Sequence, residues 1–364
     1  MPTDLDALAH AFAEFAAETT ERAPLYRALC ERAAVESDVL RFMMAAPPAQ
    51  RRPVLFLAAV HWMLLRGHHD HPLAAHYQSI SGQPFSRAAT GEAGDALVDF
   101  VRTHDDALCA VVASRSTQTN EVGRCSAFLP VAARLADEVG ALCHLDVGTS
   151  AGLNLLLPRF SYEYTTADGA TTTIAGDPRV VLPCSVSGPV PLPLQVPTVA
   201  RSIGLDPSPI DAADPDAAAW LEACVWPDQP DRFSRLAGAL ALAADIPPDV
   251  RRGDAVTSTA DLARELAPSG HPVITTSWVL SYLTESEQRD FVAVLDEVAR
   301  DIDLSWICAE APAHTPGIPV PGRPDEEITV LSVVRWRAGV RRVDRLATVH
   351  PHGSSMRAEP GAPW

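Results

Sequence analysis

Basic residues are scarce in this chain: 29 arginines and lysines stand against 46 aspartates and glutamates, a formal net charge of −17. That deficit argues against non-specific binding to nucleic acid or anionic lipid, because both are polyanions. Long apolar runs are also missing. The longest, Pro53 to Leu65, is interrupted by His61 and falls short of the roughly 18 residues a membrane span needs. The start, MPTDLDALAH, is acidic where a secretory signal is basic, so a cytoplasmic location is expected. No two cysteines have the C-x-x-C spacing. Cys30, Cys109, Cys125, Cys143, Cys184, Cys224 and Cys308 are scattered and odd in number, which reads as reduced thiols rather than a disulfide framework. Internal repeats and low-complexity tracts are absent. What remains is 364 residues, 47% apolar and 21% charged, suited to a globular enzyme of one large or two modest domains. A small-molecule substrate is the expected partner, and the oligomeric state stays open.

Residues 1–115 read as a helical domain. Segments 3–19, 24–35, 37–45, 51–66 and 92–113 carry apolar residues at three- and four-residue spacing, punctuated by Pro24, Pro47-Pro48, Pro53 and Pro72. Residues 116–364 read as an α/β domain that opens with a helix at about 120–139. Strand-like runs at 142–147, 199–205, 250–256, 272–277 and 304–309 alternate with helices near 212–225, 230–244, 258–266 and 284–300. That alternation implies a parallel sheet with flanking helices. The runs 327–337 and 341–349 lie too close together for a parallel crossover, so an antiparallel hairpin at the sheet edge is expected. Residues 158–198 interrupt the pattern. Tyr162, Tyr164 and Thr171–Thr173 favour strands or an extended arm there, read as an insertion closing over a site.

The stretch HLDVGTSAGLNLLL (144–157) supports two chemistries. Gly148-Thr149-Ser150-Ala151-Gly152 matches the G-x-S-x-G nucleophile elbow, with Asp254 and His350 as nominal triad partners. With Asp146 in front, the same residues form a glycine loop over an adenosyl cofactor. The elbow normally follows several strands, yet almost everything before 142 looks helical and no H-G-G-G-type loop occurs. The cofactor reading makes further demands that the chain meets. The loop ends the first strand, and Gly148 and Gly152 allow close backbone approach. Asp206 ends the next strand, where an acid accepts from a ribose diol. Asp254, followed by Ala255, stands near the end of the third for the adenine edge. The strand ending at Ser277 runs through Trp278 and Tyr282 into a helix with the Thr284–Glu287 capping-box pattern.

Together these features resemble a class I S-adenosylmethionine-dependent methyltransferase, with a Rossmann-like sheet and a terminal hairpin. The loop departs from the usual pattern at Ser150, and the spacing from Gly152 to Asp206 is long. QTNEVGR (118–124), GTSAGLN (148–154), LDPSPID (205–211), VWPDQPDR (225–232) and HPHG (350–353) are also similar to a bacterial family known as domain of unknown function 2332. The resemblance implies S-adenosylmethionine as cofactor and methyl transfer to a small molecule. A non-catalytic cofactor- or partner-binding protein, and a serine hydrolase using Ser150, are the alternatives. It places Asp146, Gly148, Thr149, Ser150, Gly152, Asp206, Asp254, Ala255 and Ser277 around the cofactor. Asn120, Glu121 and Arg124 stand at its methionine end. Trp226, Asp228 and Trp278 are candidates for the acceptor side, and His350 or Tyr282 for a general base. RGHHDHP (66–72) has metal-ligand chemistry but reads as a solvated turn, since adjacent His68 and His69 rarely reach one ion.

Overall fold

Amphipathic spacing in the first third of the chain produces helices: α1 (Asp4–Glu18), α2 (Pro24–Val35) and α3 (Pro53–Gly67), with a 3-10 helix at Ser37–Ala45. These are the elements of a computed structural model that describes residues 4–19, 22–320 and 328–364. Residue 3, expected in the first helix, and residue 327, expected in the hairpin, lie outside the described residues. A single turn, α4 (Gln78–Ser81), precedes two helices where one was expected over 92–113, α5 (Thr90–Thr103) and α6 (Asp105–Ser114). The break falls at His104, because Asp105 and Asp106 favour a new helix start, where carboxylates meet the positive end of the dipole.

The helical unit comprises residues 1–119 together with 214–237. The second segment, expected within the α/β part, brings α8 (Pro215–Ala223) and the first half of α9 (Pro230–Asp245) into this unit. Trp220 joins its core with Phe12, Phe42 and Phe56, and the indole N–H donates to the Ser116 carbonyl at 2.9 Å. In the histidine-rich turn, His71 Nδ1 accepts from the Leu73 N–H and the His68 ring lies 4.3 Å from that of His104. Among the described residues no group of three or more His, Cys, Asp or Glu is placed to hold a metal ion. Nor is any described helix long and apolar enough to cross a membrane.

The second unit, residues 120–213 and 238–364, is α/β and is built on a mostly parallel sheet. Its strands are β1 (Leu142–Val147), β2 (Phe160–Thr166), β3 (Thr171–Ile174), β4 (Asp177–Ser187), β5 (Val199–Asp206), β6 (Val250–Arg252), β7 (His271–Ser277), β8 (Leu304–Glu310), β9 (Thr329–Arg337), β10 (Val340–Val349) and β11 (Ser355–Ala358). They lie in the order β3-β2-β4-β11-β10-β9-β8-β7-β1-β5-β6. β1, β7 and β8 are buried on both faces along nearly their whole length, their polar residues included. β6 is shorter than expected because Asp254 caps α10 (Ala255–Leu266), accepting from the Val256 and Thr257 N–H groups.

The β9–β10 hairpin forms through Ala338 and Gly339, both at positive φ, as a two-residue turn matched to strand twist requires. It is not at the sheet edge. β11 pairs with β10, and β4 then pairs with β11, so the segment read as an insertion adds β2, β3 and β4 outside the hairpin. Its pairing partner is remote in sequence, so local patterning revealed the strands but not their place. α7 (Cys125–Val139) packs against both β1 and β4, and the Tyr164 hydroxyl from β2 donates to the Ser126 carbonyl at 2.8 Å.

The capping box expected at 284–287 is present at the start of α11 (Glu285–Val298). Thr284→Ala should lower stability by about 1 kcal/mol in urea unfolding.

Candidate functional site

Among the parallel central strands, β5 and β6 lie on one side of β1 and β7 and β8 on the other, although the chain passes through β2, β3 and β4 between β1 and β5. β1 and β7 therefore flank a topological switch point, where open α/β sheets take ligands at the carboxyl ends of the strands. The turn after β1 winds through three left-handed residues, Gly148 (φ +73°), Ser150 (φ +56°) and Gly152 (φ +73°). The Gly148 and Thr149 N–H groups donate to the Leu205 carbonyl at 2.8 and 3.2 Å. Asp206 Oδ2 accepts from the Ser150 N–H at 2.8 Å and its Oδ1 from the Ser208 N–H at 2.7 Å. Asn120 Oδ1 accepts from the Ala151 and Leu153 N–H groups, both at 3.2 Å. A Cβ on Gly148 would collide with Val279, and one on Gly152 with Val250 and Pro248. The bare glycines let the loop close on its own protein, where the sequence suggested space left for a ligand.

Beneath the loop runs a line of buried polar side chains. His144 Nε2 lies 2.8 Å from Thr275 Oγ1, and the Thr275 hydroxyl donates to Asp146 Oδ1 at 2.6 Å. Thr149 donates to Asp146 Oδ2 at 2.7 Å. Burial pushes the Asp146 carboxyl up, opposed by His144 and by its two threonine donors, and burial pushes the His144 imidazole down. A neutral His144 donating through Nε2 satisfies the Thr275 oxygen.

The segment before α7 meets the C-terminal HPHG. Arg124 donates through Nε to the Pro351 carbonyl at 3.0 Å and through Nη1 to the Ser277 carbonyl at 2.9 Å. Glu121 Oε1 accepts from the Gly123 N–H at 3.0 Å, and its Oε2 is 3.6 Å from His352 Nδ1. A Cβ on Gly123 would collide with the His352 carbonyl, and one on Gly353 with the Gly123 carbonyl, so only glycines permit this backbone contact. Ser126 Oγ is 2.7 Å from the carbonyls of both Gly123 and Gly353.

At the carboxyl end of β7, Ser277 is 8% exposed and its Oγ has no hydrogen-bond partner among the described residues. Trp278 follows at φ +56°, with its indole N–H donating to Thr329 Oγ1 at 2.8 Å. The Val279 N–H then points between the two oxygens of Glu310, at 3.2 and 3.1 Å. Glu310 is fully buried, and that burial pushes its carboxyl up to about 7 despite the Val279 and Leu280 N–H groups, Thr276 and Arg124.

Asp146, Gly148, Thr149, Ser150, Gly152, Asp206, Asn120, Glu121, Arg124, Ser277 and Trp278 are thus tied through this one set of strand ends and loops. Among the other nominated residues, His350 meets this set through the neighbouring Pro351 and His352. Asp254 is exposed and engaged as the cap of α10, whose first residue is Ala255. Tyr282 is 83% exposed, and the His350 Nδ1 accepts from the His352 N–H at 3.1 Å. Trp226 and Asp228 belong to the helical unit. His144, Thr275 and Glu310 were not singled out from the sequence, although Glu310 ends the buried strand LSWICAE and a charge there was a usable signal.

The profile of a family described as an uncharacterized protein conserved in bacteria, DUF2332, matches residues 9–357. The chain belongs to this family. No curated protein and no solved structure matches it.

Two measurements test this geometry. Asp206→Ala leaves two backbone N–H groups without their charged acceptor and should cost about 2–4 kcal/mol in urea unfolding, with Asp206→Asn losing less. A loss within about 0.5 kcal/mol would mean that the carboxylate does not hold the loop. Glu310 binds its proton more tightly folded than at its ordinary value of 4.5, so its contribution to stability is full below 4.5 and lost as pH rises to about 7. Glu310→Gln should therefore gain on the wild type between those values, reaching about 3 kcal/mol by pH 8. A difference that stays flat with pH would refute the assignment.

Proposed function

We propose that the α/β unit binds S-adenosylmethionine where the carboxyl ends of β1 and β7 part, and transfers its methyl group to a small-molecule acceptor. The observation that carries this reading is the Ser277 hydroxyl, buried at the switch point with no partner among the described residues. Such a group costs about 1–3 kcal/mol unless something bonds to it, and a ligand at the strand ends would do so. The donor set suits the cofactor. Asp206, after accepting two N–H groups, keeps an acceptor position on each oxygen for a ribose diol. Arg124, held by two carbonyls beside Asp146 and Glu310, supplies positive charge for a carboxylate. When bound, S-adenosylmethionine supplies an electrophilic methyl group. The chain's own task is to align the acceptor and keep water out. Asp254 serves as a helix cap, and no ligand bond is assigned to it.

One observation favours a serine hydrolase: the φ of +56° at Ser150 resembles the strained backbone of a nucleophile elbow. Three others oppose it. Ser150 is 4% exposed, the Ala151 N–H that would form the oxyanion hole donates to Asn120, and Asp254 is committed to α10.

Calorimetry with S-adenosylhomocysteine separates the readings. Binding in the micromolar range is expected, and Ser277→Ala should weaken it about tenfold with unfolding unchanged, since that hydroxyl bonds to nothing else described. No binding at about 1 mM would overturn the proposal. Binding without methylated product in any acceptor screen would leave a non-catalytic binding protein. Stoichiometric labelling of Ser150 by a fluorophosphonate would restore the hydrolase.

A further inference from the structure

Inside the helical unit, three buried side-chain oxygens have no hydrogen-bond partner among the described residues: the hydroxyls of Tyr26 and Tyr77, and Asp228 Oδ2. Tyr26 is 2% exposed and Tyr77 fully buried. The groups are near neighbours. The two tyrosine rings lie edge to face at 6.4 Å, and Tyr26 is 5.9 Å from the Trp226 ring. Asp228 acts electrostatically on both phenols. The other carboxylate oxygen, Oδ1, lies 3.5 Å from the Leu25 N–H at the start of α2, which has no capping side chain at Ala23. Capping therefore accounts for Oδ1 and leaves Oδ2 unexplained.

The surroundings are largely aromatic. His61 stacks against Tyr77 at 4.9 Å, with its Nδ1 3.1 Å from the Ala223 carbonyl and its Nε2 2.8 Å from Ser79 Oγ. Burial pushes that imidazole down to about 4, so this wall is neutral at physiological pH. Arg22 lies over the Trp226 ring at 5.7 Å. The groups acting on the Asp228 carboxyl are burial first, which pushes it up to about 6, and then the N–H groups of Leu25, Asp228 and Tyr26. At neutral pH it is a carboxylate offset by peptide dipoles.

Three oxygen acceptors, one negative charge and electron-rich ring faces are the complement of a primary ammonium, which has three N–H donors, one positive charge and an affinity for aromatic faces. We propose that Tyr26, Tyr77, Trp226 and Asp228 form a binding site for a ligand bearing a primary ammonium group on a short chain. A quaternary ammonium would satisfy the rings but none of the three oxygens. A neutral alcohol would leave the carboxylate charge uncompensated. The site is independent of the cofactor reading, as it lies wholly in residues 1–119 and 214–237.

The test is calorimetric titration of the full chain in amine-free phosphate buffer with propylammonium chloride, tetramethylammonium chloride and 1-propanol. Propylammonium should give saturable one-site binding, at least about tenfold tighter than either of the others. Asp228→Asn retains an acceptor for the α2 cap and should weaken propylammonium about tenfold or more. Tyr77→Phe and Tyr26→Phe keep the rings and should each weaken it about threefold to tenfold. Thermal unfolding of each variant checks that the fold persists. Equal affinity for propylammonium and 1-propanol would overturn the proposal. So would unchanged affinity in folded Asp228→Asn, or no saturable propylammonium binding, either of which would leave buried water as the occupant. Preference for tetramethylammonium would also overturn it, since the hydroxyls would then play no part.

Discussion

Two short side chains, Asn120 and Asp206, hold the turn after β1 in its left-handed path. Their three engaged oxygens accept the Ser150, Ala151, Leu153 and Ser208 N–H groups, which the turn directs away from any regular ladder. Without those acceptors the loop would present buried donors with nothing to meet, a penalty that backbone strain at Ser150 would compound. The rest of the strand-end arrangement follows from this turn. Gly148 packs under Val279, whose own N–H reaches Glu310.

The two faces of the central strands divide the work. Toward α10 and α11 the side chains are apolar: Leu145, Val147, Ile274 and Trp306 share one core with Phe291 of α11. His144, Asp146 and Thr275 alternate with them along β1 and β7 and form a bonded polar line. Alternation of this kind inside a sheet covered on both faces costs desolvation, and hydrogen bonding of each member offsets it. It also fixes the Asp146 carboxylate in orientation, since both of its oxygens have threonine donors.

Much of this was legible in the sequence wherever one element carried its own signal. Leu142–Val147 is a largely apolar run bounded by turn residues, Thr284 and Glu287 sit at capping-box spacing, and Ala338-Gly339 marks a two-residue hairpin. Asp206 was visible as an acid ending a strand. That its oxygens would face backbone N–H groups was not, because nothing in spacing reveals which way a carboxylate turns. The place of β2–β4 was hidden for a different reason. Their Tyr and Thr content specifies strands, but the partner, β11, lies far along the chain, and register between remote strands has no local signature. Trp226 and Asp228 illustrate a third limit. They stand in the VWPDQPDR stretch, yet their contacts are with α1 and α2 residues, which periodicity alone does not connect to them.

The glycine-to-glycine contact between the VGR and HPHG segments joins positions more than two hundred residues apart, as does the Ser126–Gly353 pair with a separation of 227. Closing so long a loop is entropically expensive, and it falls among the slow, non-local steps of folding. During synthesis, Arg124 lacks its Pro351 acceptor until a further 227 residues have been made. The strand ends thus stay incomplete in every nascent chain that has not yet reached Pro351 and Gly353.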